Sequence, residues 1–245
     1  MFHIFRRNLL GLVFVPLVGA GAISEAEKIQ NTRSLFSPVS DNTDFTFGAG
    51  GNLTVVPRRI AENTLRVIPM AEFFLTKRFW SAFQWETSAG IVVVRNYLST
   101  GLFYSYKMRD WSFGIGDRIE IWGGFLENTS FSAVAYSLAQ HPGIIVSHAF
   151  ASGNPEWVPS TITLRGFVNV SGYQYTKVGD AVFLGKERTF TGFGVDLTLE
   201  YNTPGFGIFF TGRINYNKAD YGFWLAFTDS NLFYVYPTLL LGMRF

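Results

Sequence analysis

The feature that most constrains this chain is a two-residue alternation of apolar and mixed side chains, repeated in long segments. In 233–245, Phe233, Val235, Pro237, Leu239, Leu241, Met243 and Phe245 fall on one face. Tyr234, Tyr236, Thr238, Leu240, Gly242 and Arg244 fall on the other. Successive strand side chains point to opposite faces, so this period reads as a β-strand with one apolar side. The pattern recurs in 160–173, 189–202 and 206–218. It marks further strands over 43–56, 64–78, 83–96, 98–109, 111–125 and, less cleanly, 144–152. Segments of this length exceed the ~5–6 residues usual in globular proteins and suit a tilted membrane-spanning strand of ~9–11.

A soluble sandwich also alternates, but its outer face carries abundant charge. Here only 16% of residues are charged, below the roughly 25% typical of soluble domains, while Phe numbers 26 and Gly 25. The polar faces are rich in Gly, Asn, Ser and Thr. An apolar face in lipid requires every backbone group to be paired internally, so the sheet must close on itself. The fold class is therefore all-β: a closed antiparallel transmembrane β-barrel of about 10 strands, within a range of 8–12. Turn residues such as Asn202-Thr203-Pro204-Gly205 and Asp229-Ser230-Asn231 separate the strands. Segment 130–140 reads equally as a strand or a short helix, and 221–228 as a strand or an aromatic loop. Pro237 lacks a ladder hydrogen bond and is expected to mark a bulge.

Residues 1–26 have the layout of a secretory signal: Arg6 and Arg7, an apolar run from Leu9 to Val18, then small residues. Cleavage is expected after Ala22 or Ala26. Residues 27–42 form a polar N-terminal leader and 43–245 the barrel. The absence of cysteine excludes a disulfide scaffold and a thiolate site. A net charge of +2 gives no basic face for nucleic acid.

With these strands in place, the chain resembles bacterial outer-membrane β-barrel proteins, and by size the small OmpW-like and KdgM-like groups. The terminal strand carries the resemblance: Tyr234-Val235-Tyr236-Pro237-Thr238-Leu239-Leu240-Leu241-Gly242-Met243-Arg244-Phe245. A terminal Phe on an alternating strand is similar to the signal by which the barrel-assembly machinery recognises its clients, which implies that role for Phe245. The resemblance implies localisation in the outer membrane of a diderm bacterium, with outer-membrane lipid and that machinery as partners.

Continuing the alternation turns Arg66, Glu72, Glu86, Lys107, Arg118, Glu120, Arg165, Asp196, Glu200, Arg213 and Arg244 inward. A charge facing lipid would cost ~2–4 kcal/mol at the midplane. Mixed signs suit an inward network of ion pairs, such as Asp196 and Glu200 with Arg213 and Arg244, that fills the lumen. A narrow, weakly selective passage is the rival. Trp80, Trp85, Trp111, Trp122, Trp157 and Trp224 sit mostly near strand ends and read as girdles at the headgroup level.

No catalytic site is expected. His141 reads as an aqueous or loop histidine. His148 and Ser152, if they share a strand face, stand about 13 Å apart at ~3.3 Å per residue, beyond the reach of a nucleophile and its base. Two histidines and scattered carboxylates supply no metal site, and no cofactor is implied. The glycine-rich pieces at 48–51 and 111–116 lack the helix and lysine of a phosphate loop. The leading function is a narrow passive channel or transporter for small, including apolar, solutes, or a barrel that stabilises the envelope. The alternative is a surface adhesin that binds a host or extracellular ligand through loops such as 178–188 and 218–231. A lipid-modifying hydrolase is third.

Overall fold

The computed structural model describes residues 34–38, 44–57, 67–80, 82–92, 95–127, 132–150, 158–185, 189–203, 205–218 and 232–245. Twelve strands occupy them: β1 (Thr46–Val55), β2 (Val67–Phe79), β3 (Phe83–Ile91), β4 (Asn96–Met108), β5 (Trp111–Glu127), β6 (Ser132–Gln140), β7 (Gly143–Ala149), β8 (Thr161–Val178), β9 (Ala181–Gly185), β10 (Thr189–Thr203), β11 (Phe206–Lys218) and β12 (Phe233–Arg244). All their pairings are antiparallel, and no described residue is helical.

The strands make a closed barrel of ten staves, because two staves are each built from two strands in line. β6 pairs with Ile119–Glu127 of β5 and β7 with Trp111–Gly116 of the same strand. Between them His141-Pro142 interrupts the ladder. His141 keeps it in register by donating its backbone N–H to the Arg118 carbonyl at 2.8 Å, while Pro142 has no N–H to give. β9 likewise pairs with the far end of β8, and β10 takes over from Thr189 onward. Within segment 130–140, Ser132–Gln140 is therefore a strand, and it shares its stave with Gly143–Ala149. The described part of the stretch 178–188 holds the end of β8 and all of β9, joined through a turn at Gly179, whose φ is 55°.

Closure is made by β1 and β12, paired from Gly48↔Arg244 to Thr54↔Thr238. Beyond the ladder, Phe47 and Phe245 exchange backbone hydrogen bonds of 2.9 and 3.3 Å. Pro237 marks no bulge. The β11–β12 register runs through Ile214↔Pro237 without a shift, and the β1–β12 register starts only at the next residue. The proline thus sits at the end of the seam, where β1 has no paired residue opposite it.

Residues 34–38 and the C-terminal Phe245 lie at one end of the barrel, here called the near end. Turn residues Trp80 and Ala82 and the turn at 109–110 are there too, with Trp80 and Arg109 in the left-handed region. The outer surface is apolar along every stave: Phe73, Ile91, Leu98, Ile121, Ile144, Leu164, Ile214 and Leu241 are exposed. The interior is polar, with Glu72, Glu86, Arg165, Asp196, Glu200 and Arg244 buried. That is the reverse of a water-soluble domain and the form in which a sheet meets lipid.

Mid-strand substitutions on β11 test this facing. Phe210 is exposed on the outer face, whereas Arg213 faces inward and grips Asp196 with two hydrogen bonds of 2.7 and 2.9 Å. Phe210→Arg should abolish the heat-modifiable, protease-resistant form of the refolded protein, since the charge costs ~2–4 kcal/mol near the midplane. Arg213→Ala should destabilise by about 3–5 kcal/mol in denaturant titration because Asp196 is stranded. Adding Asp196→Ala should recover most of that loss. A tolerated Phe210→Arg would invert the facing.

Candidate functional site

The lumen is organised in three levels. At the near end residues 34–38 lie inside the barrel, packed against its wall as a plug. Glu200 of β10 holds this plug: its two oxygens accept from Ser34 Oγ at 2.5 Å and from the Leu35 backbone N–H at 2.8 Å. Thr161 Oγ1 donates to the same carboxylate at 3.0 Å. On the opposite side Arg78 donates to the Ser37 carbonyl. Leu35 is fully buried against Phe209 and Leu240. Gly48 makes room for it, since a Cβ there would stand 2.5 Å from Leu35 Cδ2. Phe36 meets Phe74 and Phe209 edge to face, with ring centroids 5.2 and 5.1 Å apart.

Above the plug a cavity of about 390 Å³ runs up the barrel axis from Phe36 to Val56, Ile68 and Val92 at the far rim. Its middle level is a cluster of guanidinium groups. Arg165 binds Glu86 in a two-pronged pair of 2.6 and 2.8 Å, and Arg213 binds Asp196 in the same way. Arg118 and Arg213 lie 5.3 and 5.7 Å from the ring centre of Phe167, and Arg165 lies 4.9 Å from that of Phe103. Gly194 leaves space for the Phe167 ring, which would stand 2.3 Å from a Cβ at that position.

The upper level is a polar network. Arg95 pairs with Glu120 at 3.1 Å and lies over the Trp122 ring. His141 Nε2 stands 3.7 Å from Glu120 Oε2, and its Nδ1 meets Asn169 Oδ1 at 2.5 Å. Asn169 Nδ2 donates to Asn217 Oδ1 at 2.6 Å, and Asn217 Nδ2 to the Tyr236 hydroxyl at 2.8 Å. Glu72 accepts from Asn52 Nδ2 at 2.5 Å.

Of the charged residues assigned inward from the alternation, Glu72, Glu86, Arg118, Glu120, Arg165, Asp196 and Arg213 meet around one cavity. Glu200 and Arg244 lie below it. Arg244 donates to Asn202 Oδ1 at 3.0 Å and to the carbonyls of Thr203 and Phe206, tying β12 to the β10–β11 turn. Lys107 is half-buried near the β4–β5 turn, away from the cavity. Arg66 lies outside the described residues.

The aromatics divide. Trp80, Trp85 and Trp111 sit on the outside near the near-end turns, and Trp85 Nε1 donates to Thr100 Oγ1 at 3.0 Å. Trp122 is a correction: it is buried inside, packed against Ala133 and Ala135. Parity requires this, because Trp122 shares its strand face with Arg118 and Glu120 and cannot face lipid while they face the lumen. Trp157 and Trp224 lie outside the described residues. At the far end the outer rings are instead Tyr136, Tyr173 and Tyr175, with centroids 4.9–5.9 Å apart, and Phe193, Tyr216 and Phe233.

Sequence reading missed the plug, Arg95 and the role of His141. His141 is no loop histidine; it is buried at the stave interruption and faces the cavity. His148 sits on the outer side between the rings of Trp111 and Phe150, each centroid 4.6 Å away, and its Nδ1 has no hydrogen-bond partner among the described residues. Ser152 lies outside the described residues. Among the described residues no cluster of His and carboxylates could hold a metal ion.

An even ring of antiparallel staves, apolar outside and charge-paired inside, defines an integral outer-membrane β-barrel. No protein-family profile matches the chain, and no curated protein resembles it in sequence. Among solved structures it is similar to Neisserial surface protein A, at 15% identity over 82% of this chain and 95% of that one, with a TM-score of 0.33. It is also similar to the outer membrane phospholipase A from Escherichia coli, at 10% identity over 81% and 91% of the two chains, with a TM-score of 0.33. A BenF-like porin from Pseudomonas fluorescens matches at 9% identity over 84% and 64%, with a TM-score of 0.25. These superpositions are loose, and the closed sheet itself defines the class.

The latch on the plug can be probed with a single thiol, since the chain has no cysteine of its own. A Leu35→Cys barrel should react slowly with a maleimide, because that position is fully buried. Adding Glu200→Ala removes charge-assisted hydrogen bonds worth ~1.5–3 kcal/mol each, so labelling should quicken by roughly tenfold or more. Equal rates would show that Glu200 does not hold the plug.

Proposed function

We propose that this chain is a narrow passage for small solutes across the outer membrane, shut at its near end by residues 34–38. The observation that carries this reading is the combination of a cavity along the barrel axis with a floor of five residues hung on one carboxylate and one guanidinium. A barrel that served only to stabilise the envelope could fill its lumen with side chains, as small barrels do. Here about 390 Å³ is left open above a segment that belongs to no stave. Residues 34–38 take no part in any ladder pairing, so they can leave without breaking a ladder hydrogen bond.

The near end is the periplasmic end in this reading, since the tight turns gather there. Residues 1–26 are the export signal, and Phe245, at the foot of the seam, is the mark read by the assembly machinery. The reading involves no covalent chemistry. His148, a histidine a hydrolase could use, has ring neighbours and no hydroxyl hydrogen bond among the described residues.

Planar-bilayer recording on refolded protein tests the passage. The wild type should conduct little, and the Glu200→Ala/Arg78→Ala double variant should show discrete openings. Sustained silence of the double variant, with the barrel folded, would contradict the passage and favour the adhesin or the envelope-stabilising barrel.

A further inference from the structure

The lining of the cavity is divided between two arcs of the wall. On the adjacent staves β12, β1 and β2 it carries Ile68, Met70, Phe74, Tyr236 and Leu240, with Phe36 of the plug at their foot and Glu72 as the arc's one charge. On β5, β8, β10 and β11 every lining residue except Phe167 is polar or charged. The charges of the lining balance. Arg95 pairs with Glu120, Arg165 with Glu86 and Arg213 with Asp196, and Arg118 and Glu72 bring the lining to four of each sign. An ion entering this lumen would bring a charge with no counterpart, and secluding a charge without a partner is costly. An uncharged molecule meets no such cost.

We propose that the cavity binds an uncharged small molecule with a flat apolar body and one carbonyl-type oxygen. The body lies along the β12–β1–β2 arc, where the apolar side chains form a strip from the plug to the far rim. The cavity volume of about 390 Å³ falls within the ~300–1,000 Å³ of small-molecule sites. The oxygen faces the arginine arc. Arg165 and Arg213 each give two N–H groups to a carboxylate, and a guanidinium carries more than that, so donors remain for a neutral acceptor. Entry of the ligand rests on the passage proposed above; its equilibrium binding does not.

The test is calorimetric titration of the refolded full chain in a non-ionic detergent at about pH 8, where an ordinary histidine carries no charge and His141 in the lining adds none. The probes are benzamide and its two near-isosteric ions, benzoate and benzamidinium. Benzamide should bind roughly tenfold or more tightly than either ion. Met70→Asn, on the apolar arc, should weaken benzamide several-fold. Glu120→Gln leaves the lining with a positive charge in excess, so it should strengthen benzoate roughly tenfold and leave benzamide little changed. Binding of none of the probes, an ion bound as tightly as benzamide, or wild-type selectivity in Glu120→Gln would overturn the site. Benzamide bound by Met70→Asn as tightly as by the wild type would overturn the seating of the body on that arc. If a variant does not fold, the wild-type comparison of the probes decides alone. Openings in the Glu200→Ala/Arg78→Ala barrel without benzamide binding would refute the site and spare the passage. Binding without openings would do the opposite.

Discussion

The structure depends on one constraint: backbone N–H and C=O groups facing hydrocarbon have no water to pair with, so the first and last strands must find each other. The β1–β12 ladder meets that demand over Gly48–Thr54 and Thr238–Arg244, and Phe47 with Phe245 extends it at the near end. Once the ring is closed, parity distributes everything else. Each apolar side chain on one face commits its neighbours to the lumen, which is why so many charges are buried in a chain with few of them. They are tolerated there because they are hydrogen-bonded: Arg165–Glu86 and Arg213–Asp196 pair two-pronged, while Glu200 and Arg244 bond to neutral side-chain and backbone groups.

The same closure explains what the lumen can hold. Ten staves leave more room than side chains alone fill, and the sequence responds at two heights. Near the termini a segment from outside the sheet occupies the space, seated by Leu35 against Gly48 and by Phe36 between Phe74 and Phe209. Higher up, the space stays open and the guanidinium level looks into it. A plug held by Glu200 and Arg78 is weakly fastened compared with a ladder strand. The passage proposed above would open by losing a few hydrogen bonds and the Leu35 and Phe36 contacts rather than by deforming the sheet.

Local parity accounts for the part of the fold that was legible in the sequence. The apolar face of 233–245 appears in the structure as the outer face of β12, and the inward assignment of Glu72 or Asp196 needs nothing beyond counting by two from an apolar neighbour. Trp122 is legible by the same count, through Arg118 and Glu120, because parity along a strand decides its facing and nearness to a strand end does not. The shared stave of β6 and β7 was not legible: Ser- and Ala-rich 130–140 carries only a faint period, and the His141-Pro142 break is rescued by the Arg118 backbone on the neighbouring strand. The plug was hidden for a different reason. Ser34 and Glu200 stand 166 residues apart, and nothing in a short Ser-Leu-Phe-Ser stretch announces such a partner.

The seam is where closure is most directly exposed to test. Leu53 and Leu239 stand opposite each other across β1 and β12, and both point outward. Directly opposed residues on antiparallel strands bring their Cβ atoms to ~4.5–5.5 Å, so cysteines at both positions are close to disulfide distance. Mild oxidation of the refolded Leu53→Cys/Leu239→Cys protein should give an intramolecular bond, seen as a compact, reductant-sensitive band on a denaturing gel. Disulfide-linked dimers in place of that band, or thiols that stay free while the protein is folded, would contradict a sheet closed by its first and last strands.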